Sequence, residues 1–151
     1  MNDGDFEQAL TTIEEGIEGT KSILAASDKA DTEDYISLHE SLAPFHYLYG
    51  TTLLYSIEES NDQAMTTSGD GETDPNDENP DLEEAADDMQ IAWENLEAAR
   101  TILENMMTSN KSDKLKLDLA QVFLREGDLQ RLNGRYECAI NDYQSCLGLR
   151  E

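Results

Sequence analysis

The chain has 151 residues and a formal charge of −24, from 34 Asp or Glu against 10 Lys or Arg, with 38% apolar residues. That length suits one compact domain, no run of about 18 apolar residues is present to span a bilayer, and the acidic opening (Met1, Asn2, Asp3, Gly4, Asp5) lacks the basic and apolar regions of a secretory signal. A field of this sign repels nucleic acid and anionic lipid and attracts basic partners, although acidity also serves solubility alone.

Phe6, Leu10, Ile13, Ile17, Thr20 and Leu24 recur in steps of three and four, which predicts an amphipathic helix over residues 6–24. A polar joint at residues 29–34 follows, and residues 35–57 read as a second helix. Pro44 either opens its best-ordered part or kinks it, because proline is tolerated only in a first turn. Residues 58–81 differ in kind. From Ser68 to Pro80 there are only turn formers and acids, which predicts a mobile acidic loop over 58–81. A third helix is expected over 82–109, with Asp81 as N-cap and Glu83 and Glu84 in the favourable first turn. A fourth begins at Asp113 and is broken by Asn133 and Gly134. A fifth runs from Tyr136 to the end. No segment alternates as a strand does. The expected fold is therefore all-α: about five helices in antiparallel pairs.

No Lys or Arg occurs between Lys29 and Arg100, a span that carries nineteen Asp or Glu, while the last third is nearly balanced. Negative charge is thus concentrated in the middle of the chain. Cys138 and Cys146 are about 12 Å apart along one helix, too far for a disulfide, and read as small buried residues in a reducing compartment. Two histidines, His39 and His46, make no metal-ligand cluster. Asp70, Glu72, Asp74 and Asp77 loosely resemble a calcium loop, but Pro75 and Asp81 stand where its Gly and closing Glu belong. No Ser/His/Asp set or phosphate-binding glycine loop is visible. The chain reads as a binding protein, not an enzyme, with no cofactor.

Helical repeats show themselves by a period, because each pair must stack on the next. Phe123, Gly127, Tyr136, Ala139, Tyr143 and Cys146 match the large, small, large, small, large, small positions of a tetratricopeptide (TPR) repeat. Gly127 and Ala139 would let two helices approach, and Tyr136 and Tyr143 would fill the gap towards the neighbouring pair. Tyr49 and Gly50 look like a first helix, and Met89, Ala92, Leu96 and Ala99 like the second helix of that repeat, beyond the acidic loop. Phe6, Ala9, Ile13 and Gly16 fit the second-helix pattern again. The division is a partial first repeat over 1–28, a second over 35–57 and 82–109 interrupted by the insertion, and a third over 113–151. A plain helical bundle would carry the same stripes.

The run Met89-Gln-Ile-Ala-Trp-Glu-Asn-Leu-Glu-Ala-Ala-Arg-Thr-Ile-Leu resembles the helix after the acidic insertion of the NASP histone chaperones (nuclear autoantigenic sperm protein and its yeast relatives), the interrupted or SHNi-TPR type. Tyr136-Glu-Cys-Ala-Ile-Asn-Asp-Tyr-Gln-Ser-Cys-Leu-Gly-Leu is similar to that family's next repeat, and Leu42 to Leu54, with Tyr47-Leu-Tyr-Gly, to the helix before the insertion. The likeness covers residues 40–151. The family also has a helix ahead of Phe6 and a fourth repeat and capping helix past Glu151, so a fragment or a shortened relative is expected. An apolar face near Tyr143 and Leu147 would then stay uncapped and invite self-association.

The resemblance implies binding of histone H3, alone or as H3–H4, with linker histone a further candidate. It implies escort of histones for chromatin and nucleosome assembly, and a nuclear location with a cytoplasmic pool, although no basic cluster would serve as an import signal. Neither nucleic acid nor membrane is expected as a direct partner. A mobile polyanion would neutralise the cargo through the sum of Glu58, Glu59, Asp62, Asp70, Glu72, Asp74, Asp77, Glu78, Asp81, Glu83, Glu84, Asp87 and Asp88. A groove would dock an apolar segment on the inner faces of the first helices: Tyr47, Thr51, Leu54 and Tyr55, then Gln121, Leu124, Asp128 and Arg131. Asp128 matches an acidic position of the family and would meet an Arg or Lys, whereas Leu132 stands where the family often has a second acid. The alternative is a general TPR interaction scaffold that binds a non-histone basic peptide. A clamp for carboxylate tails would need several inward Lys or Arg, and only Arg131 fits that register.

Overall fold

The computed structural model describes residues 3–26, 38–67 and 80–151. The fold is all-α, and the described residues form five helices and no strand. They are α1 (Asp3–Ala25), α2 (Ala43–Thr67), α3 (Pro80–Ser109), α4 (Asp113–Leu132) and α5 (Tyr136–Arg150), with a short 3-10 turn, Glu40–Leu42, ahead of α2. No helix among the described residues is long and apolar enough to cross a membrane.

Local chemistry places most of the ends. His39 caps the 3-10 turn, its Nδ1 accepting from the Ser41 N–H at 3.2 Å. Pro44 is the second residue of α2, so it opens the helix and does not kink it. Pro80 is the first residue of α3, where its missing N–H is no loss. Ser112 caps α4 by accepting from Leu115 N–H at 3.1 Å, and Asp113 sits in the favourable first turn. At the other end Gly134 takes φ 72°. Its N–H bonds Arg131 O at 3.1 Å, and Arg135 N–H bonds Gln130 O at 2.9 Å, the paired closure of a Schellman motif.

Several boundaries differ from expectation. The third helix opens at Pro80, so Asp81 stands inside its first turn and is not its N-cap. The second helix begins at Ala43, and residues 35–37 lie outside the described part. More consequentially, α2 continues to Thr67, so residues 58–67 of the expected loop are helical. The reason is local: no Pro or Gly occurs between Gly50 and Gly69, and extending a formed helix costs far less than nucleating one. Charge alone does not end a helix.

The core is continuous from α1 to α4. Ile17 of α1, Leu53 and Leu54 of α2, and Ala92, Leu96, Ala99 and Ile102 of α3 pack with Leu115, Leu119, Val122 and Leu129 of α4. Small residues set how close neighbouring helices come. A Cβ on Gly16 would lie 2.7 Å from the Phe45 ring, one on Gly50 2.8 Å from Leu96 Cγ, and one on Gly127 2.5 Å from the Tyr143 ring. The neighbours run antiparallel. Glu14 accepts from Tyr49 Oη at 2.7 Å while the later Gly16 meets the earlier Phe45. His46 Nδ1 bonds Asn95 Oδ1 at 2.8 Å while the later Gly50 meets the earlier Ala92.

The last helix corrects three expectations. Ala139 and Cys146 are buried, but Cys138 is exposed and Tyr136 is 65% exposed. Tyr143 packs on Gly127 within its own pair, not towards the neighbouring one. The buried face of α5 is narrow, centred on Ala139, Tyr143 and Cys146; Tyr136, Ile140 and Leu147 fall on the adjoining face and stay exposed. Tyr136→Ala is accordingly expected to change stability by no more than about 0.5 kcal/mol, and Tyr143→Ala to cost about 2–3 kcal/mol. Urea midpoints of the two variants check this, and equal losses would refute the asymmetry.

Candidate functional site

Because α2 and α3 are antiparallel, the last turns of α2 and the first turns of α3 share one end of the molecule. Glu58, Glu59 and Asp62 project from the first, and Glu83, Glu84, Asp87 and Asp88 from the second. Asp62, Glu83, Glu84 and Asp87 are exposed. Asp88 is partly buried, and its carboxyl is pushed above the usual range by that burial and by Glu84 and Asp87. Eight of the thirteen expected acids thus lie in helices, and of these Glu58, Glu59, Asp62 and Asp81 had been expected in the loop. Asp81 is in the first turn of α3 with its side chain outside the described set, and Asp70, Glu72, Asp74, Asp77 and Glu78 fall outside the described residues.

The eight groove residues divide into three groups. Thr51 is 8% exposed and Leu54 fully buried, so both belong to the interior between α2 and its neighbours. Tyr47 and Gln121 line a cavity of about 300 Å³ at the end remote from the acids, floored by Ala43, Leu103, Met106, Leu115 and Val122. Tyr55, Asp128 and Arg131 stand at the acidic end, and Leu124 is half-buried.

At that end the polar groups are already joined. Asp128 receives Arg125 Nη1 at 3.1 Å and the Tyr143 hydroxyl at 2.8 Å. The Arg125 guanidinium lies over the Tyr55 ring, 5.3 Å from its centroid. Arg131 Nη2 approaches Glu58 Oε1 at 3.6 Å, tying α4 to α2. An incoming cation would therefore compete with Arg125 for Asp128 and with Arg131 for Glu58. The Arg125–Asp128 bond is charge-assisted and so among the stronger side-chain contacts, whereas the partly exposed Arg131–Glu58 pair is a weak, screened ion pair.

Sequence reasoning missed Arg125. The signal existed: Arg125 and Asp128 are three apart on one helix, a spacing at which opposite charges meet. It also missed Glu126, which falls in the core stripe of Leu119, Val122 and Leu129 and is 1% exposed. Its partner across the interface is Arg100 of α3, at 3.5 Å.

Charge divides along the chain. Residues 111–151 carry seven acids and seven bases, so the net charge of the molecule resides in the first 110 residues. Among the described residues no group of three or more His, Cys, Asp or Glu could hold a metal ion. Comparisons with protein-family models, with curated proteins and with solved structures find no match to this chain.

Proposed function

We propose that this chain is a histone chaperone of the interrupted-TPR type. It binds histone H3 or H3–H4 between α2 and α4 and through its acidic end. The observation that carries the reading is the conjunction of two surfaces. A cluster of acids crowns the α2–α3 end, and a strip of aromatic, Arg and Asp side chains runs from it along the facing helices to a cavity with an apolar floor and a polar rim of Glu40, Lys114, Asp118 and Gln121. A free histone has matching needs: a large positive charge to neutralise and apolar helical surface to cover. Screened contacts to the acids suit the first and let the cargo leave for DNA. The cavity and the Tyr47–Tyr55 strip suit the second. The close helix approaches at Gly16, Gly50 and Gly127 agree with repeat packing. A nuclear role with a cytoplasmic pool belongs to the same reading.

A general TPR scaffold for a non-histone basic peptide shares the groove but does not need the acidic crown. Titration of the purified chain with H3–H4, with a C-terminal H3 peptide and with an unrelated basic peptide of equal charge separates the two. At about 0.15 M and 0.5 M salt, tight H3–H4 binding that persists at the higher value, with the control peptide lost, is the expected result. Equal and salt-labile binding of all three would overturn the histone assignment.

A further inference from the structure

Away from the groove, α3, α4 and α5 meet around one guanidinium. Arg100 of α3 donates from Nη2 to both oxygens of Glu97, at 2.8 and 2.9 Å, and from Nη1 to Glu126 Oε2 at 3.5 Å. It also lies 5.6 Å from the Phe123 ring centroid. Asp142 of α5 faces the same cation, and Glu104 stands 4.0 Å from its Nε. Among the described residues, the charged groups that face Glu126 are Glu97 and Arg100 from α3 and Asp142 from α5. One positive charge is shared by four carboxylates, and Glu97 holds its closest contacts.

Glu126 is the group that suffers. Its side chain is 2% exposed, and its Oε1 is buried without a hydrogen-bond partner. A second buried carboxylate beside Glu97 and Asp142 would be poorly compensated, because desolvation of a charge exceeds what one long ion pair returns. A proton resolves the conflict. It removes the charge and turns an acceptor that faces acceptors into a donor, with the Glu97 carboxylate as its partner.

We propose that the Glu97–Arg100–Glu126–Asp142 cluster is a proton-operated latch, in which neutral Glu126 seals the α4–α5 pair against α3 and its ionisation loosens that pair. The Glu126 carboxyl is pushed up to about 8 from 4.5, first by burial and then by Glu97 and Asp142, against the pull of Arg100. A carboxyl raised on folding binds its proton more tightly in the native state. Its contribution to stability is therefore full at low pH and is lost as pH rises from about 4.5 towards 8. The next two residues of α4 are Gly127, which seats Tyr143, and Asp128, which bonds it, so loosening the pair also reaches the groove.

Amide hydrogen exchange, corrected for intrinsic rates, tests the latch at pH 6.5 and pH 9 on the whole chain. In the wild type, α5 amides are expected to lose protection about ten-fold or more between the two values, and α1 amides much less. Glu126→Gln, neutral throughout, is expected to hold α5 protection constant. An unchanged wild type, or an equal loss in Glu126→Gln, overturns the proposal. Carboxyl carbon NMR of the wild type needs no variant: one side-chain carboxyl should keep its proton above about pH 7, and ionisation of every carboxyl by about pH 6 would refute the latch.

Discussion

Leu96→Ala is expected to cost about 2–5 kcal/mol, a large part of the total stability of a domain this size. Leu96 is fully buried at the centre of α3, and its Cγ lies 2.8 Å from where a Gly50 Cβ would be. It therefore fills the closest approach of α2 and α3, which neither helix can tighten without moving the other. The loss combines the transfer free energy of the missing atoms with a cavity that close-packed surroundings fill only in part. Urea denaturation should show a lower midpoint with an unchanged slope. Gly50→Ala made in the same background sharpens the test. Alone it clashes with Leu96 and with the Ala92 carbonyl oxygen at 2.9 Å. Combined with Leu96→Ala the side-chain clash disappears and the backbone one stays, so the double variant should cost less than the sum of the singles. Strict additivity would mean that the two positions do not meet.

Neutralising the acidic crown is expected to have the largest effect on binding. The variant changes Glu59, Asp62, Glu83, Glu84, Asp87 and Asp88 to their amides and spares Glu58, which holds Arg131. It takes the formal charge from −24 to −18, six charges fewer. Exposed charge contacts contribute about 0.3 kcal/mol each, so six amount to about 1.8 kcal/mol, or about twenty-fold in H3–H4 affinity at physiological salt. The salt dependence should flatten in step, because fewer screened contacts remain. Helix content by circular dichroism should not fall. Unaltered affinity with unaltered fold would assign these acids to solubility, and the groove would then have to account for all recognition.

Both results depend on features of different legibility. The helices were visible because their signals are local. Apolar residues in steps of three and four, Ser112 and Asp113 at a start, and Asn133 and Gly134 at a stop act within one turn of chain. The small residues were visible for the same reason: Gly50 and Gly127 sit at helical spacings where a larger side chain would be expected. The reach of α2 past Ile57 is not legible from charge: residues 58–67 are acidic and polar, yet they contain nothing that breaks a helix.

The amino-acid sequence by itself determined the all-α class, the order of the helices, the small residues at their crossings and the segregation of negative charge away from the last forty residues. These follow from composition and from interactions between residues a few positions apart. Only the tertiary structure decided how far the covered faces of α2, α4 and α5 extend. It buried Thr51 and Leu54, which were expected in the groove, exposed Tyr136, and joined Asp128 to Arg125 and Tyr143. It also set Glu126 against Arg100, Glu97 and Asp142, residues up to 29 positions away along the chain. The physical reason is that burial and desolvation belong to an assembled interface. A carboxylate's neighbours across three helices are unknown until those helices have packed, and the energy of a buried charge depends on all of them at once.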